Sequence, residues 1–291
     1  MAPSSYHTRS NSIPNRPHPV LVELDEQLRR LRSSEATSTS SSSTISHQLI
    51  GLQDLHNCVD KWLLLPLTQQ SSAQGQQKKW ANELLDGSLR LLDMCDTAKD
   101  ALLQIKECFQ GLQSSLRRRC GSDTRLLAGC VRRYLTTMKA VAKSINKALG
   151  KLKSVKASFP KLHDSNEMVS VLKDVEAITI MVLESLLSFI SSSQKGPTKL
   201  SGWSLVSKLA KPKRMAPEEN DNTNEFQKID VALQSIVSVK KEKSDSNKNV
   251  EDVQNQLKDL ELCIQDLEGD LESLYRRLIK TRVSFLNILT H

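Results

Sequence analysis

Proton transfer, metal binding or nucleophilic attack would have to start from histidine, cysteine or carboxylate side chains, and in this chain these are dispersed. The six histidines (His7, His18, His47, His56, His163 and His291) form no H-x-x-x-H pair, no H-E-x-x-H helix and no His/Cys zinc spacing. The six cysteines (Cys58, Cys95, Cys108, Cys120, Cys130 and Cys263) contain no C-x-x-C pair and read as reduced, intracellular thiols. Neither a glycine-rich phosphate loop nor a G-x-S-x-G turn occurs. The densest polar run is Asp54-Leu55-His56-Asn57-Cys58-Val59-Asp60. On a helix, Asp54 shares a face with Cys58, and His56 with Asp60. Two ligands are too few for a structural metal, so the run reads as solvated or capping. The expectation is a protein with no catalytic residue, metal or cofactor, hence not an enzyme.

Charge is more informative. The 291-residue chain has a formal net charge of +8, but Arg117 to Lys161 holds thirteen bases against Asp123 alone, so this segment carries +12 and the rest −4. At about 100° per residue on a helix, Arg125, Arg132, Lys139, Lys143 and Lys147 fall in one stripe. Leu127, Val131, Tyr134, Met138, Val141, Ile145, Leu149 and Leu152 gather opposite. Such a basic amphipathic helix can be a solvated face, can pair with the acidic start of the last helix, or can meet anionic lipid or an acidic protein surface. Nucleic acid is disfavoured, because no aromatics interleave the bases and Tyr134 lies on the apolar side.

A second basic segment surrounds Trp203, Leu205, Val206, Lys208 and Leu209, which either docks back on the fold or associates with a membrane surface. Lys211-Pro212-Lys213-Arg214, just after it, has the form of a weak nuclear address. In the N-terminal tail, Arg9-Ser10-Asn11-Ser12-Ile13-Pro14 fits the Arg-Ser-x-Ser-x-Pro form that 14-3-3 adaptors recognise once Ser12 is phosphorylated. Ser33, after Arg30-Leu31-Arg32, is a second kinase-like site.

The elements that position these residues follow from composition and periodicity. With 10 Gly, 9 Pro and 4% aromatics, the chain has too few turn-formers and strand-formers for a sheet, which implies long helices. The expected fold is all-α: an elongated multi-helix bundle of long antiparallel helices, with a C-terminal coiled-coil-like helix and a disordered N-terminal tail. Residues 1–46 are the Ser/Pro-rich tail, with one short amphipathic helix at about 20–32, and residues 47–291 the bundle, interrupted by an irregular basic connector at about 191–224. The last helix has apolar residues at eleven of twelve heptad positions from Val250 to Ile288, with Thr281 the exception. That seam serves either an internal bundle helix or a homo-oligomeric coiled coil. The apolar run from Val175 to Ile190 is short and contains Glu184, so it reads as a buried helix rather than a membrane span. The N-terminus lacks the apolar core of a secretory signal. These features point to an intracellular and cytoplasmic protein, with nuclear or membrane-peripheral placement as alternatives.

Four segments carry a family resemblance: His7-Thr8-Arg9-Ser10-Asn11-Ser12-Ile13-Pro14 with Arg16-Pro17-His18-Pro19; Gly51-Leu52-Gln53-Asp54-Leu55-His56; Leu84-Leu85-Asp86-Gly87-Ser88-Leu89-Arg90-Leu91-Leu92-Asp93; and Trp203-Ser204-Leu205-Val206-Ser207-Lys208-Leu209. With them the chain resembles a land-plant family, domain of unknown function 241, related to the BYPASS proteins. The resemblance implies a role in root and shoot development and carries over no activity, cofactor or catalytic residue. Together the residues and the resemblance suggest a non-enzymatic scaffold or adaptor, with a peripheral, anionic-lipid-binding protein as the alternative.

Overall fold

A computed structural model describes residues 18–35, 41–66, 77–118, 124–158, 167–192, 224–238 and 245–290. Among the described residues are seven helices and no strand: α1 (Pro19–Glu35), α2 (Ser42–Leu63), α3 (Gln77–Arg117), α4 (Thr124–Ser158), α5 (Glu167–Ser191), α6 (Glu225–Ser238) and α7 (Asp245–Thr290). The all-α bundle expected from the scarcity of Gly and Pro is the observed fold. No helix among the described residues is long and apolar enough to cross a membrane.

Two boundaries differ from the sequence reading. The Ser/Thr-rich stretch is not linker throughout, because Ser41 caps α2 by accepting a hydrogen bond from the Thr44 amide at 3.3 Å. The Ser42 hydroxyl then donates to Glu225 of α6 at 2.9 Å, tying the start of α2 to a distant helix. The first helix is not a separate tail element either. Leu24, Leu28 and Leu31 of α1 are buried in the common core, and α1 packs on α2 and α5. Three leucines on one stripe outweigh the polar surroundings, since each buried side chain contributes about 1.5–3 kcal/mol.

The helices run in both senses. Phe109 meets Tyr134 with ring centroids 5.7 Å apart, and Ser115 meets Cys130, so α3 and α4 are antiparallel. Lys99, Lys106 and Gln113 of α3 reach Glu272, Glu268 and Glu261 of α7, which sets that pair antiparallel too. By contrast, Asn57 pairs with Arg277 and Asp60 with Thr281, so α2 and α7 run parallel. The same holds for α3 and α5, through Glu83 with Lys173 and Arg90 with Glu176. Parallel neighbours are therefore joined across long stretches of chain, which the expectation of antiparallel helices had not included.

The heptad seam of α7 is spent inside the chain. Val253, Leu257, Leu260, Ile264, Leu267, Leu271, Leu274 and Leu278 are all buried in the one core cluster, against α2, α3 and α6. Phe189 of α5 and Phe226 of α6, both buried, meet edge to face at 5.3 Å.

Candidate functional site

Helix α4 is the element with the sharpest division of surface. Leu127, Val131, Tyr134, Met138, Val141, Ile145 and Leu152 are buried, facing α3, α5 and α6. The opposite side presents Arg132, Arg133, Lys139, Lys143, Lys147, Lys151 and Lys153, all exposed. From Thr124 to Ser158 the helix has nine bases and no acid, so no i,i+4 partner within it can neutralise them. Among the described residues, Arg132, Arg133, Lys139, Lys143 and Lys147 make no ion pair, and Arg132 bonds only the Ala128 carbonyl of its own helix. The acidic start of α7 does not reach them. Its Glu261, Glu268 and Glu272 are taken up by Gln113, Lys106 and Lys99 of α3, so these three acids do not pair with the basic face.

Two clefts mark the seam between α3 and α4. One of about 540 Å³ is lined by Arg90, Asp93, Asp96, Ser144, Lys147 and Lys151, and another of about 400 Å³ by Glu107, Cys108, Cys130, Arg133 and Tyr134. The exposed acids Asp93, Asp96 and Glu107 of α3 thus border Lys147, Lys151 and Arg133 of α4.

The remaining sequence-derived site residues are distributed as follows. The side chain of Arg125, the Trp203, Leu205, Val206, Lys208 and Leu209 segment, and Ser12 lie outside the described residues. Ser33 is exposed in the last turn of α1, its hydroxyl donating to the Arg30 carbonyl at 2.8 Å. Beside it, Arg32 pairs with Asp174 of α5 at 3.2 Å. Cys58, Cys95, Cys108, Cys130 and Cys263 are free thiols. Burial pushes Cys58 up to about 11 and Cys95 up to about 12, so both stay protonated at neutral pH.

Within the polar run on α2, Asp54 is exposed, whereas His56 and Asp60 are not solvated, contrary to the sequence reading. His56 and Asp60 are 2% and 3% exposed, one turn apart. The Thr179 hydroxyl of α5 already donates to the Val175 carbonyl at 2.7 Å. His56 Nε2, 3.0 Å from that oxygen, must therefore be the donor, leaving Nδ1 as the bare nitrogen. Burial, with the Arg277 charge as the smaller cause, holds the His56 pKa down to about 4. Asp60 accepts from the Thr281 hydroxyl at 2.8 Å and lies 3.3 Å from Lys280. The polar gap in the heptad seam is thus the hydrogen-bond partner of a buried carboxylate. Arg282 extends the layer to the Leu85 carbonyl and the Ser88 hydroxyl of α3. A cavity of about 30 Å³, room for about one water, lies among His56, Ser88, Glu176 and Thr281. The signal for this layer was present: a threonine at a heptad position, another inside an apolar run, and His56 and Asp60 spaced four apart.

Gly87 of α3 seats the adjacent α5. A Cβ there would lie 2.5 Å from Glu176 Oε1, and that carboxylate is held by Arg90 at 2.8 Å. Burial raises the Glu176 pKa against the opposing pull of Arg90. Gly87→Ala is expected to cost about 1–2 kcal/mol by displacing the half-buried carboxylate. In a Glu176→Ala background the same change should stabilise by about 1 kcal/mol, the helix propensity of alanine over glycine. Urea unfolding of the four proteins measures this cycle, and equal effects of Gly87→Ala in both backgrounds would contradict the close approach.

A family model described as Protein BPS1 matches residues 48–288. No curated protein and no solved structure matches the chain.

Proposed function

The chain belongs to the BPS1 family, and from that premise we propose that it acts in plant root and shoot development as a non-enzymatic helical scaffold or adaptor in the cytoplasm. The observation that carries this reading is the exposed face of α4, where five cations have no ion-pair partner among the described residues. A strip of one sign speeds encounter with a complementary surface. With the apolar side of α4 buried, this strip is the face of α4 left for a partner. Phosphorylated Ser12 would add a second docking point for a 14-3-3-type adaptor, carried by the tail rather than by the bundle.

Charge reversal tests the reading. Lys139→Glu, Lys143→Glu and Lys147→Glu together should leave the helical circular-dichroism signal unchanged and shift thermal unfolding little, since exposed positions without partners change stability within about 0.5 kcal/mol each. Proximity labelling in root cells should lose a defined subset of neighbours in the triple variant. An unchanged set of labelled proteins would remove α4 as the binding surface.

A further inference from the structure

We propose that the exposed strip of α4 docks an acidic amphipathic helix of a partner protein. The proposal rests on the reading of α4 as the binding surface and adds the chemical class of what it binds.

Four observations select this occupant. The first is the shape of the charge. Arg132, Lys139, Lys143 and Lys147 fall within an arc of about 80° and span about 22 Å along the axis, from 100° and 1.5 Å per residue. This is a strip one helix wide, whose steps of seven, four and four residues match a carboxylate stripe on a second helix. The second is that the apolar side of α4 is already used. Leu127, Val131, Tyr134, Met138, Val141, Ile145 and Leu152 are buried, Leu135 and Leu149 are partly buried against the core, and the exposed large hydrophobics among the described residues lie elsewhere, none of them on α4. A bilayer-binding helix needs an apolar face to insert, and α4 has none to spare. The third is the absence of a stacking platform, because Tyr134, the aromatic of α4, is 1% exposed.

The fourth is the acidic neighbour. Asp93, Asp96 and Glu107 of α3 are exposed beside α4, and Asp93 and Asp96 share one cleft with Lys147 and Lys151. A sheet of anionic headgroups would cover both stripes and be repelled by one of them. A helix of about 10 Å diameter can lie on α4 alone, with a basic edge turned towards Asp93 and Asp96. The preferred ligand therefore has carboxylates along one stripe and cations along the edge beside it.

The test uses the full chain and fluorescence anisotropy at low salt. Its probes are a synthetic helical peptide of about three heptads with glutamates confined to one stripe, and a permuted peptide of the same composition with those glutamates spread around the helix. Vesicles of phosphatidylserine with phosphatidylcholine, and of phosphatidylcholine alone, complete the set. The striped peptide should bind at least tenfold more tightly than the permuted one, weaken as salt is raised, and lose at least tenfold in the Lys139→Glu, Lys143→Glu, Lys147→Glu variant. Lys258→Glu, an exposed base on α7, should change nothing. Equal affinity for the two peptides overturns the helical partner. Vesicle binding that depends on α4, with neither peptide bound, overturns the protein partner while leaving α4 as the binding surface. Binding unaffected by the triple variant, or binding to none of the probes, overturns the proposal.

Discussion

Lowering the pH from 7 towards 4 should cost this protein about 2 kcal/mol at pH 5 and about 3 kcal/mol at pH 4 through His56, from the linkage between a pKa of 6.5 unfolded and about 4 folded. The direction follows from where the proton binds. In the native bundle the ring is buried and neutral, with Nε2 donating to Thr179. The unfolded chain takes up a proton below about pH 6.5. Stability is therefore full above the unfolded value and is lost as the pH falls through the folded one. Carboxylates also contribute to acid unfolding, so the diagnostic quantity is the difference between wild type and His56→Gln, whose amide can still donate to Thr179. Urea midpoints measured between pH 7 and pH 4 should fall less steeply for the variant. Parallel pH profiles would show that His56 does not carry the effect.

The heptad seam yields the other large effect. Leu267→Ala and Leu271→Ala, at positions 1% and 0% exposed, should each cost about 2–5 kcal/mol, the range for leucine truncation in a packed core. Because α2 and α3 cover this stretch, the loss should be independent of protein concentration, and the mass in solution should be the same before and after substitution. A seam used between copies would behave differently, with a melting temperature that rises with concentration. Light scattering together with melts over a hundredfold concentration range distinguishes the two.

Most of the fold was legible because the chemistry is one-dimensional. The spacing of Leu127, Val131, Met138 and Ile145 dictates which side of α4 is buried, and the absence of acids dictates the sign of the other. The 3-4 pattern of α7 likewise announces a buried stripe, though not which partner covers it. What sequence could not supply is pairing across long separations. Asp60 and Thr281 each break a local pattern, and only their meeting 221 residues apart explains both. His56 was read as solvated because a helical wheel of α2 has no knowledge of Thr179. Similarly, Leu24, Leu28 and Leu31 look like a modest tail helix until α2 and α5 are placed beside them. The basic face is the converse case, since its residues were identified at once but their lack of partners needed the positions of α3 and α7.

The parallel placement of α2 and α7 has a consequence for how the chain is made. About 180 residues separate the end of α2 from the start of α7, an interval of about 10–40 s at 5–20 residues per second of synthesis. Leu52 and Val59 throughout that interval, and Leu102 and Ile105 once α3 has been made, lack the helix that completes their cover in the finished bundle, where all four are buried. The nascent protein therefore spends most of its synthesis with an open apolar flank, the kind of surface that makes incomplete chains prone to aggregation. A premature stop ahead of Asp245 should leave that flank open permanently, yielding a product cleared by proteolysis rather than a shorter working protein.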